Sequence, residues 1–147
     1  HLVRFNERIR VAGKLIDDAS LAPLLAEVLD AAGDIAPSFF EATTAAAFLA
    51  FARTPADAAI IEVGLGGRLD ATNVIDQPLV TGMASLGIDH REFLLTPEAG
   101  TPTEPLARIA FEKAGIAKTG VPLVTLAHSA AAAVTIAERA KQVGAPL

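Results

Sequence analysis

The chain has 147 residues, of which 52% are hydrophobic and 20% are charged, a composition typical of a globular domain with a substantial core. Its formal net charge of −5 argues against nucleic acid as the main partner, because phosphate recognition favours a basic surface. The sequence contains no cysteine, which excludes disulfides and thiolate metal sites and fits a cytoplasmic location. No apolar run is long enough to predict a membrane-spanning segment, so a membrane is not an expected partner.

The first part of the chain predicts one strand and two helices. The predicted elements are a strand over Arg8–Gly13, a helix over Leu21–Ala32, a loop over Ile35–Phe40 and a helix over Glu41–Arg53. Asp17, Asp18 and Ser20 are candidate caps for the first helix, and Gly33 is a typical C-terminal stop. The second helix is rich in alanine, leucine and phenylalanine, so we expect it to be buried on most sides.

The rest of the chain alternates predicted strands and helices. Continuous apolar runs predict buried parallel strands over Ala58–Val63, Leu79–Ala84 and Pro122–Leu126, and helical patterns cover Glu104–Gly115 and Ser129–Val143. Thr96–Pro105 contains three prolines and a glycine and is predicted to be a solvated loop. This alternation predicts an α/β fold in which helices flank a parallel sheet.

A glycine-rich turn follows the first buried strand, in the segment EVGLGGRLDATN from Glu62 to Asn73. Glycines let the backbone turn sharply and approach a ligand, and parallel sheets bind ligands beyond the carboxyl ends of their strands. The residues placed for a polar site are Glu62, Arg68, Asp70, Thr72 and Asn73. The alternative is an ordinary glycine turn with a solvated arginine and aspartate.

The turn does not match two common glycine fingerprints. A dinucleotide-binding fingerprint requires a third glycine where Leu69 stands. A methyltransferase-like turn requires glycine where Arg68 stands, and this near match keeps a methyltransferase-like domain as an alternative.

Two further segments carry candidate functional residues. Asp89 and His90 follow the second predicted strand, and imidazole and carboxylate groups, including that of Glu62, can bind a metal ion. A lone loop histidine is the commoner interpretation of His90. Lys113 lies in EKAGI at the end of a predicted helix, where the residues alone favour a surface lysine with Gly115 as the helix cap.

Taken in order, five segments resemble the folylpolyglutamate synthase/dihydrofolate synthase family of the Mur ligase superfamily. They are HLVRFNERIRV, SFFE, EVGLGGRLDATN, DH and EKAGI, and the resemblance runs from His1 to about Val124. It implies that residues 1–147 form part of a P-loop-type ATP-binding domain. The family's phosphate loop, Gly-x-x-Gly-Lys-Gly-Ser, has no counterpart in this sequence, and we expect it before His1 in a longer parent protein. Without that loop, this fragment is expected to be inactive alone. The resemblance also implies a separate C-terminal domain.

The resemblance implies an ATP-dependent ligase that forms carbon–nitrogen bonds. Members join L-glutamate to dihydropteroate or folate through an acyl phosphate, with ATP and Mg²⁺ as cofactors. A degenerate α/β domain that binds a partner without catalysis is the non-enzymatic alternative.

The resemblance also implies roles for individual residues. Glu62 and His90 match the family's Mg²⁺ ligands, and Lys113 matches a lysine that is carbamylated. The positions that match the pterin pocket are Arg4, Ser38, Phe40, Asp70 and Ala71. An aromatic ring can stack on a flat pterin, and an aspartate can accept its N–H groups. The sequence departs from the family in the proline-rich stretch Thr96–Pro105, which lengthens the interval between His90 and Lys113.

Overall fold

The computed structural model describes residues 3–147, so His1 and Leu2, which begin the first family motif, lie outside the described residues. The chain divides into two compact units, residues 1–62 and 63–147, and each has its own apolar core. Within the described part of the chain, no helix is both long and apolar enough to cross a bilayer.

The first unit consists of a small hairpin and two helices. It contains a 3-10 turn over Phe5–Arg8, strands β1 (Arg10–Val11) and β2 (Lys14–Leu15), and helices α1 (Asp18–Ala32) and α2 (Phe39–Arg53). The single strand predicted over Arg8–Gly13 is therefore wrong in extent. Ala12 and Gly13 both have positive φ, at 50° and 76°, and reverse the chain so that β1 pairs antiparallel with β2.

Local capping sets where both helices begin. The Asp17 carboxylate accepts a hydrogen bond from the Ser20 amide at 2.7 Å, which confirms Asp17 as the cap of α1. Ser38 and Glu41 form a reciprocal capping box at the start of α2. This box starts α2 at Phe39, so the loop predicted over Ile35–Phe40 ends two residues early.

The core of the first unit lies where α1 and α2 face the hairpin. Its buried residues are Ile9, Ile16, Leu21, Leu24, Ala46 and Ala50. The buried Asn6 amide donates to the Ile16 carbonyl at 2.8 Å and to the Asp18 carboxylate at 2.9 Å. Asn6 therefore ties the hairpin to the first turn of α1.

The second unit contains the parallel strand pair. Its elements are a 3-10 turn over Ala71–Val74, strands β3 (Thr81–Met83) and β4 (Leu123–Thr125), and helices α3 (Arg91–Leu94), α4 (Pro105–Ala114) and α5 (Ala130–Val143). Strands β3 and β4 pair in parallel, with Thr81 opposite Leu123 and Met83 opposite Thr125. The predicted helices and two of the three predicted parallel strands are confirmed, and the α/β class with them.

Small side chains allow α4 and α5 to pack closely in this unit. Its core contains Met83, Ala110, Ala114, Ala117, Leu123, Ala132, Ile136, Ala140 and Ala145. Alanine has no side-chain entropy to lose on burial and lets two helices approach closely. Helix α4 is thus held firmly, which matters because its C-terminal end meets the glycine turn.

The buried strand predicted over Ala58–Val63 does not form. The segment has no regular structure, and Ile60 is 95% exposed. A strand is defined by pairing, and no strand within residues 3–147 pairs with this segment. Its apolar run alone therefore does not bury it.

The β1–β2 turn yields a stability prediction. An alanine at φ 50° is strained, whereas asparagine tolerates the left-handed region, so Ala12→Asn should stabilise the protein by up to about 1 kcal/mol. Gly13→Ala is the matched opposite, because no atom lies near the added methyl group and only backbone strain opposes it. Thermal unfolding should rank Ala12→Asn above the parent sequence and Gly13→Ala below it. Equal melting temperatures for all three would contradict the turn geometry.

Candidate functional site

The glycine turn rests on the C-terminal end of α4. Gly67 has φ 155°, and a methyl group there would lie 2.9 Å from Cγ2 of Ile116 and 3.0 Å from the carbonyl oxygens of Glu112 and Lys113. The Arg68 amide donates to the Glu112 carbonyl at 2.8 Å. Helix ends leave carbonyls without partners inside the helix, and the turn supplies one of the missing donors.

Gly115 is needed on the helix side of this contact for its small size. Its φ is −61°, so any residue could adopt its backbone conformation. A methyl group at this position would nevertheless lie 2.5 Å from Cα of Arg68. The predicted cap position is confirmed, and the absence of a side chain lets the two backbones touch.

The polar residues of the turn mainly stabilise the turn itself. Oδ1 of Asp70 accepts hydrogen bonds from the Thr72 amide at 2.9 Å and the Thr72 hydroxyl at 2.6 Å, and Oδ2 accepts from the Leu65 amide at 2.8 Å. The Asn73 side-chain amide donates to the carbonyls of Arg68 and Gly115, at 3.1 and 3.2 Å. The structure thus brings together four of the five residues predicted to form a polar site, Arg68, Asp70, Thr72 and Asn73.

An ionic cluster accompanies this contact. The Arg68 guanidinium donates to Glu112 at 3.1 and 3.0 Å and to Glu98 at 3.2 and 2.5 Å. Arg108 pairs with Glu112 four residues along α4 and with Glu98 at 3.2 Å. Both Arg68 and Arg108 lie over the ring of Phe111, at 5.3 and 5.6 Å from its centroid.

Burial makes the inner pair of this cluster costly to break. Arg108 and Glu112 are only 5% and 6% exposed. Removing either one would leave a buried charge without its partner, at a cost of about 3–5 kcal/mol. Sequence reasoning missed Glu98, Arg108 and Glu112, although an arginine and a glutamate four residues apart are a recognisable helical pair.

The cluster shifts the pKa values of Arg68 and Glu98. The hydrogen bonds that Arg68 donates, to Glu112 first and then to Glu98, raise the pKa of Arg68. The Arg68 guanidinium in turn lowers the pKa of Glu98 below its ordinary value of 4.5, with a smaller effect from Arg108. Glu98 belongs to the proline-rich loop that was predicted to be solvated, so this carboxylate anchors the loop to the glycine turn.

His90 has an unusual backbone conformation in the second unit. Its φ and ψ are 48° and 44°, in the left-handed region, and its amide donates to the Asp89 carboxylate at 2.8 Å. Non-glycine residues in this region are uncommon and concentrate at functional sites. The imidazole is exposed, with Nε2 3.9 Å from the carboxylate of Asp89.

The other predicted metal ligand, Glu62, is an exposed residue at the end of the first unit. Among residues 3–147, no group of three or more histidine, aspartate or glutamate side chains is gathered closely enough to hold a metal ion. The residues predicted to bind metal are therefore not part of a preformed cluster within the described chain.

Lys113 is half-buried on α4, immediately after Glu112. Its carbonyl faces Gly67, while its side-chain amine makes no hydrogen bond or ion pair to any of the described residues. The backbone of Lys113 is thus fixed and its amine is left available.

Two of the predicted pterin-pocket residues of the first unit, Arg4 and Ser38, form contacts with nearby residues of the same unit. Arg4 forms an exposed pair with Asp18 at 3.4 Å. Ser38 belongs to the capping box of α2, and Phe40 is half-buried. The neighbouring Phe39 is 63% exposed and makes an edge contact with the ring of Phe5, with 5.5 Å between the ring centroids. In the second unit, Ala71 is half-buried directly after Asp70.

An open cleft of about 430 Å³ adjoins the contact between turn and helix. It is lined by Arg68 and Asn73 from the glycine segment and by Gly115 and Lys118 from the connection after α4. The Lys118 amine donates to the Asn73 carbonyl at 3.2 Å. No residue predicted to bind metal or pterin lines this cleft.

Comparison with known proteins gives one consistent result. Human mitochondrial folylpolyglutamate synthase is 36% identical over 100% of this chain, which covers 25% of the human protein. The dihydrofolate synthase/folylpolyglutamate synthase of Bacillus subtilis is 40% identical over 99% of this chain, which covers 34% of that protein. No protein-family model matches the sequence.

Solved structures agree with the sequence comparison. Escherichia coli FolC in complex with ADP superposes with a TM-score of 0.85 at 38% identity, over 100% of this chain and 33% of that chain. The same enzyme with DHPP and ADP gives 0.87 at 37% identity, with the same coverage. The chain therefore has the α/β, Mur-ligase-type fold of these synthases.

The chain belongs to the folylpolyglutamate synthase/dihydrofolate synthase family. It spans about a quarter to a third of the length of the relatives that it matches.

The contact between Gly115 and Arg68 can be tested by adding one methyl group. Gly115→Ala should destabilise the protein by about 1–3 kcal/mol, because the new Cβ meets backbone that cannot move freely. Gly87→Ala is the matched control, since no atom lies within 4 Å of its added Cβ. Chemical denaturation should show a lower midpoint for Gly115→Ala only. Equal midpoints for the two variants would contradict the close approach.

The Glu98 carboxylate predicts a pH dependence of stability. Because its folded pKa is lowered, its contribution is fully present above the unfolded value of 4.5 and is lost as pH falls through the lowered folded value. The stability difference between the parent sequence and Glu98→Gln should therefore be constant above pH 4.5 and shrink in acid. Denaturation over a pH series measures it. A difference that persists or grows in acid would show that Glu98 is not held as a carboxylate by Arg68.

Proposed function

We propose that the protein containing this chain is an ATP-dependent ligase that joins L-glutamate to a folate, a dihydropteroate or both. The family match over the entire chain supports this, since the relatives are named for the synthesis of folylpolyglutamate or dihydrofolate. Related structures contain ADP, or AMPPNP with a manganese ion. ATP and Mg²⁺ are accordingly the proposed cofactors.

The proposed reaction has two steps. A carboxylate oxygen of the folate attacks the γ-phosphorus of ATP, the bond to the β-phosphate oxygen breaks, and ADP leaves. The amine of glutamate then attacks the acyl carbon, loses a proton and forms the amide as phosphate departs. Positioning and charge neutralisation supply most of the catalysis in phosphoryl transfer.

Glu62 and His90 are each proposed as Mg²⁺ ligands. Mg²⁺ in phosphoryl-transfer enzymes is usually held by one or two protein groups together with water and substrate phosphates, so a preformed three-residue cluster is not required. Glu62 and His90 are both exposed, and His90 is held in a strained conformation. When bound, Mg²⁺ would neutralise negative charge on the phosphates.

Lys113 is proposed as the residue that becomes carbamylated. Its amine has no partner among the described residues, and its backbone is fixed by the glycine turn. Addition of carbon dioxide to the neutral amine forms an N–C bond, releases a proton and leaves an anion on a rigid helix end. An oxygen anion is a suitable ligand for Mg²⁺.

The proposed folate-binding residues are Arg4, Ser38, Phe40, Asp70 and Ala71. Among residues 3–147, Oδ2 of Asp70 accepts one hydrogen bond, from the Leu65 amide, and so keeps capacity for a second donor. The Ser38 hydroxyl accepts from the Glu41 amide, which leaves its own proton free to donate. Both side chains can therefore bind a ligand without breaking the local structure.

The full-length protein provides the test. It should form a glutamyl amide and ADP from ATP, L-glutamate and either folate or dihydropteroate, and the two acceptors assayed separately define the substrate. Glu62→Gln and His90→Ala should each lower turnover by about 10- to 100-fold. The matched controls are Glu138→Gln, on α5, and His128→Ala. The His128 ring forms a hydrogen bond with the Thr125 hydroxyl.

Two results would count against the proposal. An intact protein that consumes no ATP with either acceptor would support a non-catalytic scaffold. Full activity in Glu62→Gln and His90→Ala would remove the proposed metal ligands. The isolated chain is proposed to be inactive. A cytoplasmic location for the protein is a separate prediction, because its relatives include mitochondrial enzymes.

A further inference from the structure

The Glu112 side chain joins the end of α4 to the glycine turn. It is 6% exposed and accepts hydrogen bonds from Arg68 on the glycine turn and from Arg108 on its own helix. Successive residues of a helix point about 100° apart. Any rotation of α4 that moved Glu112 away from Arg68 would therefore turn Lys113 by the same angle.

The backbone restrains the same helix end a second time. The Arg68 amide bonds to the Glu112 carbonyl, and the Asn73 side chain joins the carbonyls of Arg68 and Gly115. These bonds occupy carbonyls at the negative end of the helix, where the nearby Arg68 cation is also favourable. Arg68 thus contributes both its amide and its guanidinium to one contact.

The side-chain contact depends on the shape of arginine as well as its charge. Arg68 uses Nε and Nη2 toward Glu112 and Nη1 and Nη2 toward Glu98, so one planar group joins two carboxylates. A lysine amine cannot reproduce this forked geometry. The side chain is also only 24% exposed, so water replaces its bonds incompletely.

From these contacts we propose that Arg68 and Glu112 are positioning residues, which hold the last turn of α4 against the glycine turn and so fix the direction of Lys113. This inference rests on the proposed role of Lys113 in the ligase. Neither residue is assigned a contact with substrate, and both act through the helix that carries Lys113.

The test uses the full-length protein with Arg68→Met and Arg68→Lys, and with Arg53→Met as the matched control. Arg53 belongs to an exposed pair with Glu27 at 2.6 Å, so its loss removes an arginine from an ion pair within the first unit. Both Arg68 variants should lower kcat by at least about 10-fold while KM for the folate acceptor stays within about 3-fold, because misplaced groups chiefly cost turnover. Arg53→Met should leave both parameters unchanged.

A second measurement reports the direction of Lys113 without any turnover. The rate at which an amine-acylating reagent labels Lys113 is measured by peptide mass spectrometry, with exposed Lys141 as the internal standard. The Lys113 rate relative to Lys141 should change by about 3-fold or more in Arg68→Lys and Arg68→Met and stay constant in Arg53→Met.

The outcomes separate this inference from the proposed function. An inactive parent protein whose Lys113 labelling still depends on Arg68 would overturn the ligase proposal and support the positioning role. Unchanged labelling and kcat in Arg68→Lys would overturn the positioning role, whatever the parent protein catalyses. If Arg68→Met does not fold, Arg68→Lys alone decides between these outcomes.

Discussion

The contact between the glycine turn and the end of α4 is the constraint on which the second unit's candidate site depends. Two glycines make the contact possible, because a side chain at Gly67 or Gly115 would collide with the opposite backbone. Arg68 and Glu112 then join the two segments by charge and hydrogen bonds. The result is a helix end whose carbonyls are capped by the glycine turn. Lys113, which directly follows Glu112 in the last turn of α4, has a fixed backbone and an available amine.

The sequence predicted the helices and the parallel pairing well because these features follow local patterns. Capping residues such as Asp17, and the apolar periodicity of α4 and α5, are visible in the chain itself. The segment Ala58–Val63 was predicted wrongly, because its apolar run says nothing about whether a partner strand is present. The β1–β2 hairpin was missed because its turn places an alanine, Ala12, at a positive φ that alanine rarely adopts.

The residue types of the candidate site could be predicted from the sequence, but the hydrogen bonds and ion pairs among them could not. The motif around Arg68 and Asp70 indicated a polar turn, and the structure shows that these side chains first satisfy one another and the backbone. The pairing of Arg68 with Glu98 and Glu112 joins positions 30 and 44 residues apart, which no local pattern reveals. The proline-rich loop illustrates this, because composition predicted its exposure but not the ion pairs by which Glu98 anchors it to the turn.

The most direct measurement of the central functional claim is the fate of the acceptor's carboxylate oxygen. Folate or dihydropteroate labelled with heavy oxygen in its reacting carboxylate would be incubated with the full-length protein, ATP and L-glutamate. An acyl phosphate requires one labelled oxygen to leave with the phosphate, so mass spectrometry should find label in the inorganic phosphate in proportion to the amide formed. Amide formation with unlabelled phosphate would contradict the acyl phosphate, and absence of amide with either acceptor would contradict the ligase assignment.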